Sequence, residues 1–330
     1  MARPPELNGA GSRRPTILDV AAAAGVSRQT VTRAMNGMEG VSAETSRRVR
    51  EAAAELGYRP SRFGRGLVTG GERQLGLVLD DLRNPFFPEL AAAVVARAAE
   101  HGWNVLLVDA ALADDPAELL ESLGRQVDAV VGYFDTRVPD WIREPGPLPV
   151  VTLGEAIDPA LGGVLLDDRE AMADLATHLA AAGMRRPAVL DPCESGECGD
   201  RGERLRAALE GRGMPVRVVR SAAVSAEAAA VAIAPHLVGA DAVDAVVAFN
   251  DIMALGVLAA CRRAGVAVPE QVRVVGIDGL PLGELVSPTL TTLAIDLDEV
   301  ARDAVELAIG GATPLPVRTV RHRLVVRESA

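Results

Sequence analysis

Residues 16–35 read TILDVAAAAGVSRQTVTRAM, two short amphipathic helices around a tight turn. Thr16 can cap the first helix, whose Ile17, Val20 and Ala21 face inward. Gly25 supplies the left-handed turn, and Ala21 is small enough for close packing of the second helix. Ser27 then caps a helix over 28–35 with Val26, Val31 and Met35 on its buried side. Arg28, Gln29, Thr32 and Arg33 are left facing out. A guanidinium can bond guanine O6 and N7 bidentately, and a carboxamide adenine N6 and N7, when such a helix lies in a major groove. A third helix is expected from a Ser42 cap to about residue 56, with Val41, Thr45, Val49, Ala52 and Leu56 on one side and Arg47, Arg48 and Arg50 elsewhere. Periodicity alone is also met by a small helical bundle with a solvated arginine face.

The charge distribution favours the first of these readings. The 330-residue chain carries a net charge of −11, which by itself opposes nucleic acid. Residues 1–70 nevertheless hold eleven arginines against six acids, so a head of +5 is joined to a body of −16. A basic head on an acidic body fits a local phosphate-binding surface attached to a soluble sensor. The first fifteen residues have Arg13 and Arg14 but no apolar core behind them, and no run of eighteen apolar residues occurs. They are expected to form a disordered tail, and the protein to be cytoplasmic, with neither export signal nor membrane partner. Cys193, Cys198 and Cys261 are expected as reduced thiols. The first two are spaced within zinc-ligand range, but no second Cys/His pair accompanies them, so neither metal nor other cofactor is expected.

From Gln74 on, short apolar runs alternate with amphipathic helical stretches. QLGLVLDDL, WNVLLVDA, VDAVVGYF and LPVVTLG read as buried parallel strands, with helices over 88–100 and 116–123. A second series follows in RPAVLD, VRVVRS, DAVVAFN and RVVGID, with helices near 168–182, 200–213, 225–238 and 251–264. Two α/β lobes are expected, with ligand bound in a cleft beyond the carboxyl ends of their strands. Strand-end position selects Asn84, Phe86, Asn250 and Asp278 as candidate ligand contacts. Each has a plainer alternative: Asn84–Pro85 as a turn, Phe86 as core, Asn250–Asp251 as a helix cap. No G-x-G-x-x-G follows a first strand, and neither a P-loop nor a G-x-S-x-G elbow occurs, so an enzyme is not expected.

DVAAAAGVSRQTVTRAMNG and then VSAETSRRVREAAAELGYRPSRFGRGL resemble the headpiece and hinge of the LacI/GalR family of transcriptional regulators, nearly position by position over 16–67. DLRNPFFPEL (81–90), FNDIMALG (249–256), VVGIDGL (274–280) and SPTLTTLAID (287–296) resemble the same family's sensor motifs, which extends the likeness to about 330. The resemblance implies an all-α helix-turn-helix headpiece plus an α/β sensor like periplasmic binding proteins, with two doubly wound parallel-sheet lobes. It places the headpiece at 16–59, a hinge helix and linker at 60–73 and an effector-binding, dimerising domain at 74–330. Lobe one is expected at about 74–166 and 293–314, lobe two at about 167–292 and 315–330.

By the same resemblance Arg28, Gln29 and Arg33 read bases, Thr16, Ser27, Thr30 and Asn36 lie near phosphates, and Leu67 enters the minor groove of a palindromic operator bound by a homodimer. From the residues alone, Pro60 stops the third helix and Ser61 caps a short one to residue 67, or the segment is a flexible linker, since Gly64 and Gly66 each cost a helix roughly 1 kcal/mol. The resemblance adds Arg201 to the effector contacts and implies a small sugar-like effector. Three departures stand out: Val224 where sugar-stacking members carry an aromatic, Gly279 in place of a second acid, and Ile295-Asp296 for Gln-Pro. With aromatics at 3 % of the chain, few are expected to remain for stacking, and a smaller, more polar or phosphorylated effector stays open. A two-lobed solute-binding protein without a DNA role is the alternative.

Overall fold

The computed structural model describes residues 16–35, 40–56, 73–112, 116–134, 148–157, 161–193, 198–310 and 314–330. The 1–15 tail, Asn36, and the 60–73 hinge up to residue 72, with Leu67, lie outside these. The chain divides into two units, Met1–Glu72 and Arg73–Ala330.

In the first unit, α1 (Ile17–Ala24), α2 (Arg28–Met35) and α3 (Ala43–Glu55) enclose a small core of Val20, Ala21, Ala24, Val31, Ala34, Val49, Ala52 and Ala53. Residues this small let three short helices approach closely around a shared centre. Gly25 closes α1 at φ 64°, where a Cβ would be strained, and turns the chain into α2. The Ser27 and Ser42 hydroxyls accept the Thr30 and Thr45 N–H groups at 3.1 and 3.2 Å, capping α2 and α3 as their side-chain chemistry predicts.

The second unit holds two six-stranded sheets, and its strands and helices alternate. In the first sheet β1 (Arg73–Leu79), β2 (Trp103–Asp109), β3 (Ala129–Tyr133), β4 (Val150–Gly154) and β5 (Gly163–Asp167) are joined by a later strand, β11 (Val317–Arg321), in the order β11-β5-β4-β3-β1-β2, all parallel. The second contains β6 (Pro187–Asp191), β7 (Arg217–Arg220), β8 (Ala245–Ala248), β9 (Arg273–Asp278), β10 (Thr291–Ala294) and β12 (Arg323–Val325), ordered β12-β10-β9-β8-β6-β7, with only β12 antiparallel. Helices cover both faces, which is why the central strands are apolar almost throughout rather than alternating. On the first sheet, α4 (Phe86–Glu100) and α10 (Leu297–Gly310) pack Leu90, Val94, Val300 and Ala304 against one face, and α5 (Pro116–Gly124) packs Leu120 and Leu123 against the other. On the second, α6 (Arg169–Ala181) and α7 (Asp200–Glu210) lie opposite α8 (Ala226–Ile233) and α9 (Asp251–Ala264). Among the described residues, no helix is long and apolar enough to cross a membrane.

The expected lobe boundaries need correction at the C-terminal end. Residues 315–330 do not all belong with lobe two: β11 runs parallel to β5 in the first sheet, from Val317 opposite Gly163 to Arg321 opposite Asp167, and only β12 joins the second. Residues 293 and 294, expected in lobe one, end β10 of the second sheet. The chain thus passes between the sheets near 168, 295 and 322, because the open edge of β5 offers β11 a full row of backbone partners.

Gly163, where β5 begins, illustrates how tightly β4 and β5 of the first sheet are packed. It sits at φ 144°, and a Cβ there would lie 2.0 Å from the Thr152 carbonyl oxygen. Gly183, at φ 81°, has open space instead. Gly163→Ala is expected to lower the melting temperature by at least about 4–8 °C, a loss of roughly 2 kcal/mol or more, against a smaller fall for Gly183→Ala. Equal shifts for both in thermal unfolding would contradict the steric account.

Candidate functional site

Two surfaces carry the residues singled out above, one in each unit. On the headpiece, Arg28, Gln29 and Arg33 are exposed on α2 while Val31 and Ala34 behind them are fully buried. Neither arginine makes an ion pair among the described residues. The Arg33 guanidinium lies beside Gly40, with Nη1 3.6 Å from where a Cβ would stand. Thr32, expected to face out, is half-buried and its hydroxyl donates to the Arg28 carbonyl at 3.1 Å. Ser27 is exposed and shares a 2.9 Å hydroxyl contact with half-buried Thr30. The Thr16 N–H and hydroxyl both donate to the Asp19 carboxylate, at 2.6 and 2.7 Å.

In the body, the carboxyl ends of the two sheets line one cleft of about 890 Å³, and all five expected effector contacts, Asn84, Phe86, Arg201, Asn250 and Asp278, face it. Asn84 does make the turn, its Oδ1 accepting the Phe86 N–H at 3.2 Å. Phe86 is both core and wall, 6 % exposed within the lobe-one cluster. Asn250 caps α9 through Oδ1, which accepts the Met253 N–H at 2.9 Å, yet its buried Nδ2 has no acceptor among the described residues. A helix cap thus leaves two donors facing the cleft.

The expected scarcity of aromatics is overturned. Phe86, Phe87, Tyr133, Phe134 and Phe249 line this one cavity, five of the nine aromatic residues in the chain. Phe87 meets Tyr133 edge-to-face at 5.3 Å, and the Arg201 guanidinium lies 4.6 Å over the Phe249 ring. Overall composition concealed this concentration. The departures from the family pattern have local causes. At Gly279 (φ 81°) a Cβ would lie 2.5 Å from that of Ala294, so a second acid does not fit. Ile295 is buried in the lobe-one core and Asp296 caps α10, accepting the Glu299 N–H at 3.0 Å. Val224 lines the cleft as an open apolar patch.

Of the charged residues that tie the lobes together, sequence reading had Arg201 but missed Glu155 and Arg204. Glu155 follows β4 of the first sheet, whereas Arg201 and Arg204 lie three residues apart on one face of α7, beyond β6 of the second. Arg201 donates to Glu155 (Nε to Oε1, 2.7 Å) and to the Phe249 carbonyl (2.8 Å). Arg204 grips Asp168 through two bonds of 3.1 and 2.7 Å and reaches the other Glu155 oxygen. Burial would raise the Glu155 carboxyl, but the two guanidinium groups outweigh it and hold it below the usual carboxylate range.

Asp278 shows the opposite balance. Among the described residues it is the one non-glycine with a positive φ, 122°, and its buried Oδ2 finds no hydrogen-bond partner among them. Burial pushes its carboxyl well above the ordinary range; Arg201 opposes this, while Asp251 and Glu155 add to it. Asp251 itself accepts from the Thr292 hydroxyl (2.6 Å) and from the Gly279 and Leu280 N–H groups (2.9 and 2.7 Å), fixing the turn that presents Asp278.

Residues 16–61 match the family model for bacterial regulatory proteins, lacI family, and 176–330 that for a periplasmic binding protein-like domain. The ribose operon repressor of Halalkalibacterium halodurans is 31 % identical, over 95 % of this chain and 96 % of that protein. A LacI family regulator from Arthrobacter sp. FB24, solved in complex with lactose, is 35 % identical with a TM-score of 0.73, over 79 % of this chain and all of that one. The CelR–cellobiose complex aligns over 96 % of this chain and all of its own, with a TM-score of 0.64 and 28 % identity.

The Asp278 environment has a measurable consequence. A carboxyl whose value rises on folding favours the folded state below its ordinary value, and that contribution is lost as pH climbs through the raised value. Relative to Asp278→Asn, which carries no titrating proton there, the parent should therefore lose up to about 1.4 kcal/mol per pH unit above roughly pH 4. Melting curves at pH 5 and 8 test this. A parent-minus-variant difference that stays constant between them would mean that the carboxyl is not held protonated.

Proposed function

The chain belongs to the LacI family of bacterial regulatory proteins, and on that premise we propose that it is a transcriptional repressor that binds a palindromic operator as a homodimer and answers to a sugar. The observation that carries this reading is the pairing, in one chain, of an exposed Arg28/Gln29/Arg33 face on a helix locked from behind by Val31 and Ala34 with an aromatic-walled cleft between two lobes. A helix fixed on its apolar side can be laid into a major groove with its polar side against base edges. Arg28, Gln29 and Arg33 are assigned to bases; Thr16, Ser27, Thr30 and Asn36 to the phosphate backbone; Leu67 to the minor groove at the operator centre.

A sugar presents hydroxyls on its edges and weakly apolar C–H faces, so its site needs aromatic walls and fixed polar groups. Phe86, Tyr133 and Phe249 supply walls; Asn84, Asn250, Asp278 and Arg201 supply donors and acceptors. Whenever its raised carboxyl carries a proton Asp278 can donate as well as accept, and the Asn250 Nδ2 can donate. The relatives named above include a sugar operon repressor and two regulators in complex with disaccharides, which supports the sugar class. On this reading the protein is a ligand-gated binder rather than an enzyme and works in the cytoplasm, where its operator is. Sugar in the cleft changes the angle between lobes, which moves the hinge segments of the dimer and shifts operator affinity. A coupling of about 1–3 kcal/mol suffices for a 5- to 150-fold change.

Titration of a fluorescent operator duplex separates the roles. Arg28→Ala should cost about 1–3 kcal/mol on the preferred duplex and relax preference at one base position, leaving the salt dependence nearly unchanged. Leu67→Ala should weaken binding with the headpiece still folded by circular dichroism; equal affinity to the parent at one salt concentration would remove the wedge. Arg201→Ala should bind operator as the parent does but lose its response to sugar, and a retained response would take Arg201 out of the effector site.

A further inference from the structure

In the cleft, two arginines that would recognise an anionic ligand are already engaged by the protein. Arg201 spends Nε and Nη2 on Glu155 and Nη1 on the Phe249 carbonyl, and Arg204 spends Nε on Asp168 and Nη2 on Asp168 and Glu155. Around them the lining carries further acids, Asp80, Asp81 and Asp200 besides Glu155, of which Asp81 is paired with Arg83. Glu155 also comes from the opposite lobe to its partners, so its carboxylate stands where a bridging ligand anion would have to sit. We propose that Glu155 is a specificity-determining residue that acts as a built-in anion, filling the Arg201–Arg204 pair and restricting the cleft to uncharged sugars at the expense of sugar phosphates and sugar acids. An anionic ligand would have to displace a half-buried carboxylate from two guanidinium groups, a penalty that a neutral polyol does not incur.

The inference rests on the effector-site reading of the cleft, but its test does not require a sugar. Inorganic phosphate and glucose 6-phosphate are titrated by calorimetry into the full chain as parent, Glu155→Gln, Glu155→Ala, and each variant combined with Arg204→Ala. Phosphate held by the headpiece is common to all of these, so the quantity read is binding that Arg204→Ala removes. Glu155→Gln, which keeps the side-chain shape, should bind both anions at least about ten-fold more tightly than the parent through Arg204. Glu155→Ala serves should the Gln variant misfold. Arg204-dependent phosphate binding already present in the parent, or no gain in either variant, would overturn the proposal. Loss of the sugar reading would appear instead as operator affinity indifferent to sugar, with the phosphate result unaffected.

Discussion

Parallel strands impose the geometry from which the site follows. Each strand must be followed by a crossover before the next can lie beside it in the same direction, so every loop leaving a carboxyl end emerges on one edge of its sheet. Asn84 follows β1, Tyr133 ends β3, Glu155 follows β4, Phe249 and Asn250 follow β8, and Asp278 ends β9. Two such sheets, joined by three passages of chain, turn these edges into a single cleft. The chemistry is therefore drawn from segments far apart in sequence, while each side chain stands at or just beyond the end of a largely buried strand.

Inside that frame the polar groups divide their work. Asp251 and Asp168 are structural: one holds the turn at Gly279 and Leu280, the other orients Arg204. Asn250 and Asn84 do both, bonding their own backbone through Oδ1 while their carboxamides border the cavity. Asp278 is the least satisfied, a buried carboxyl on a strained backbone. Strain and unmet hydrogen-bonding capacity concentrate where a ligand can relieve them.

Much of this was legible in the sequence because it rests on local rules. Helix caps at Ser27 and Ser42, the glycine turn at Gly25 and the apolar strand runs each follow from neighbouring residues. Four of the five effector candidates follow from position alone, since a strand end in an open α/β sheet points to the ligand side, and Arg201 from the family resemblance. Glu155 and Arg204 were not found, because their significance lies in a pairing across 46 to 49 residues and a glutamate after a strand has no distinctive spacing. Nor could composition show that most aromatics gather in one cavity. The assignment of Val317–Arg321 to the first sheet turns on which edge strand has free backbone groups, a property of the folded sheets.

The headpiece and the body are joined functionally only if occupancy of the cleft changes what the recognition helix can hold. The most direct measurement is selection of duplexes from random DNA by the full chain, repeated with and without a panel of neutral sugars. Enrichment of a two-half-site palindrome, with an affinity that one of those sugars changes by about 5- to 150-fold, is the expected result. Binding without preference over bulk DNA would contradict the account at its root.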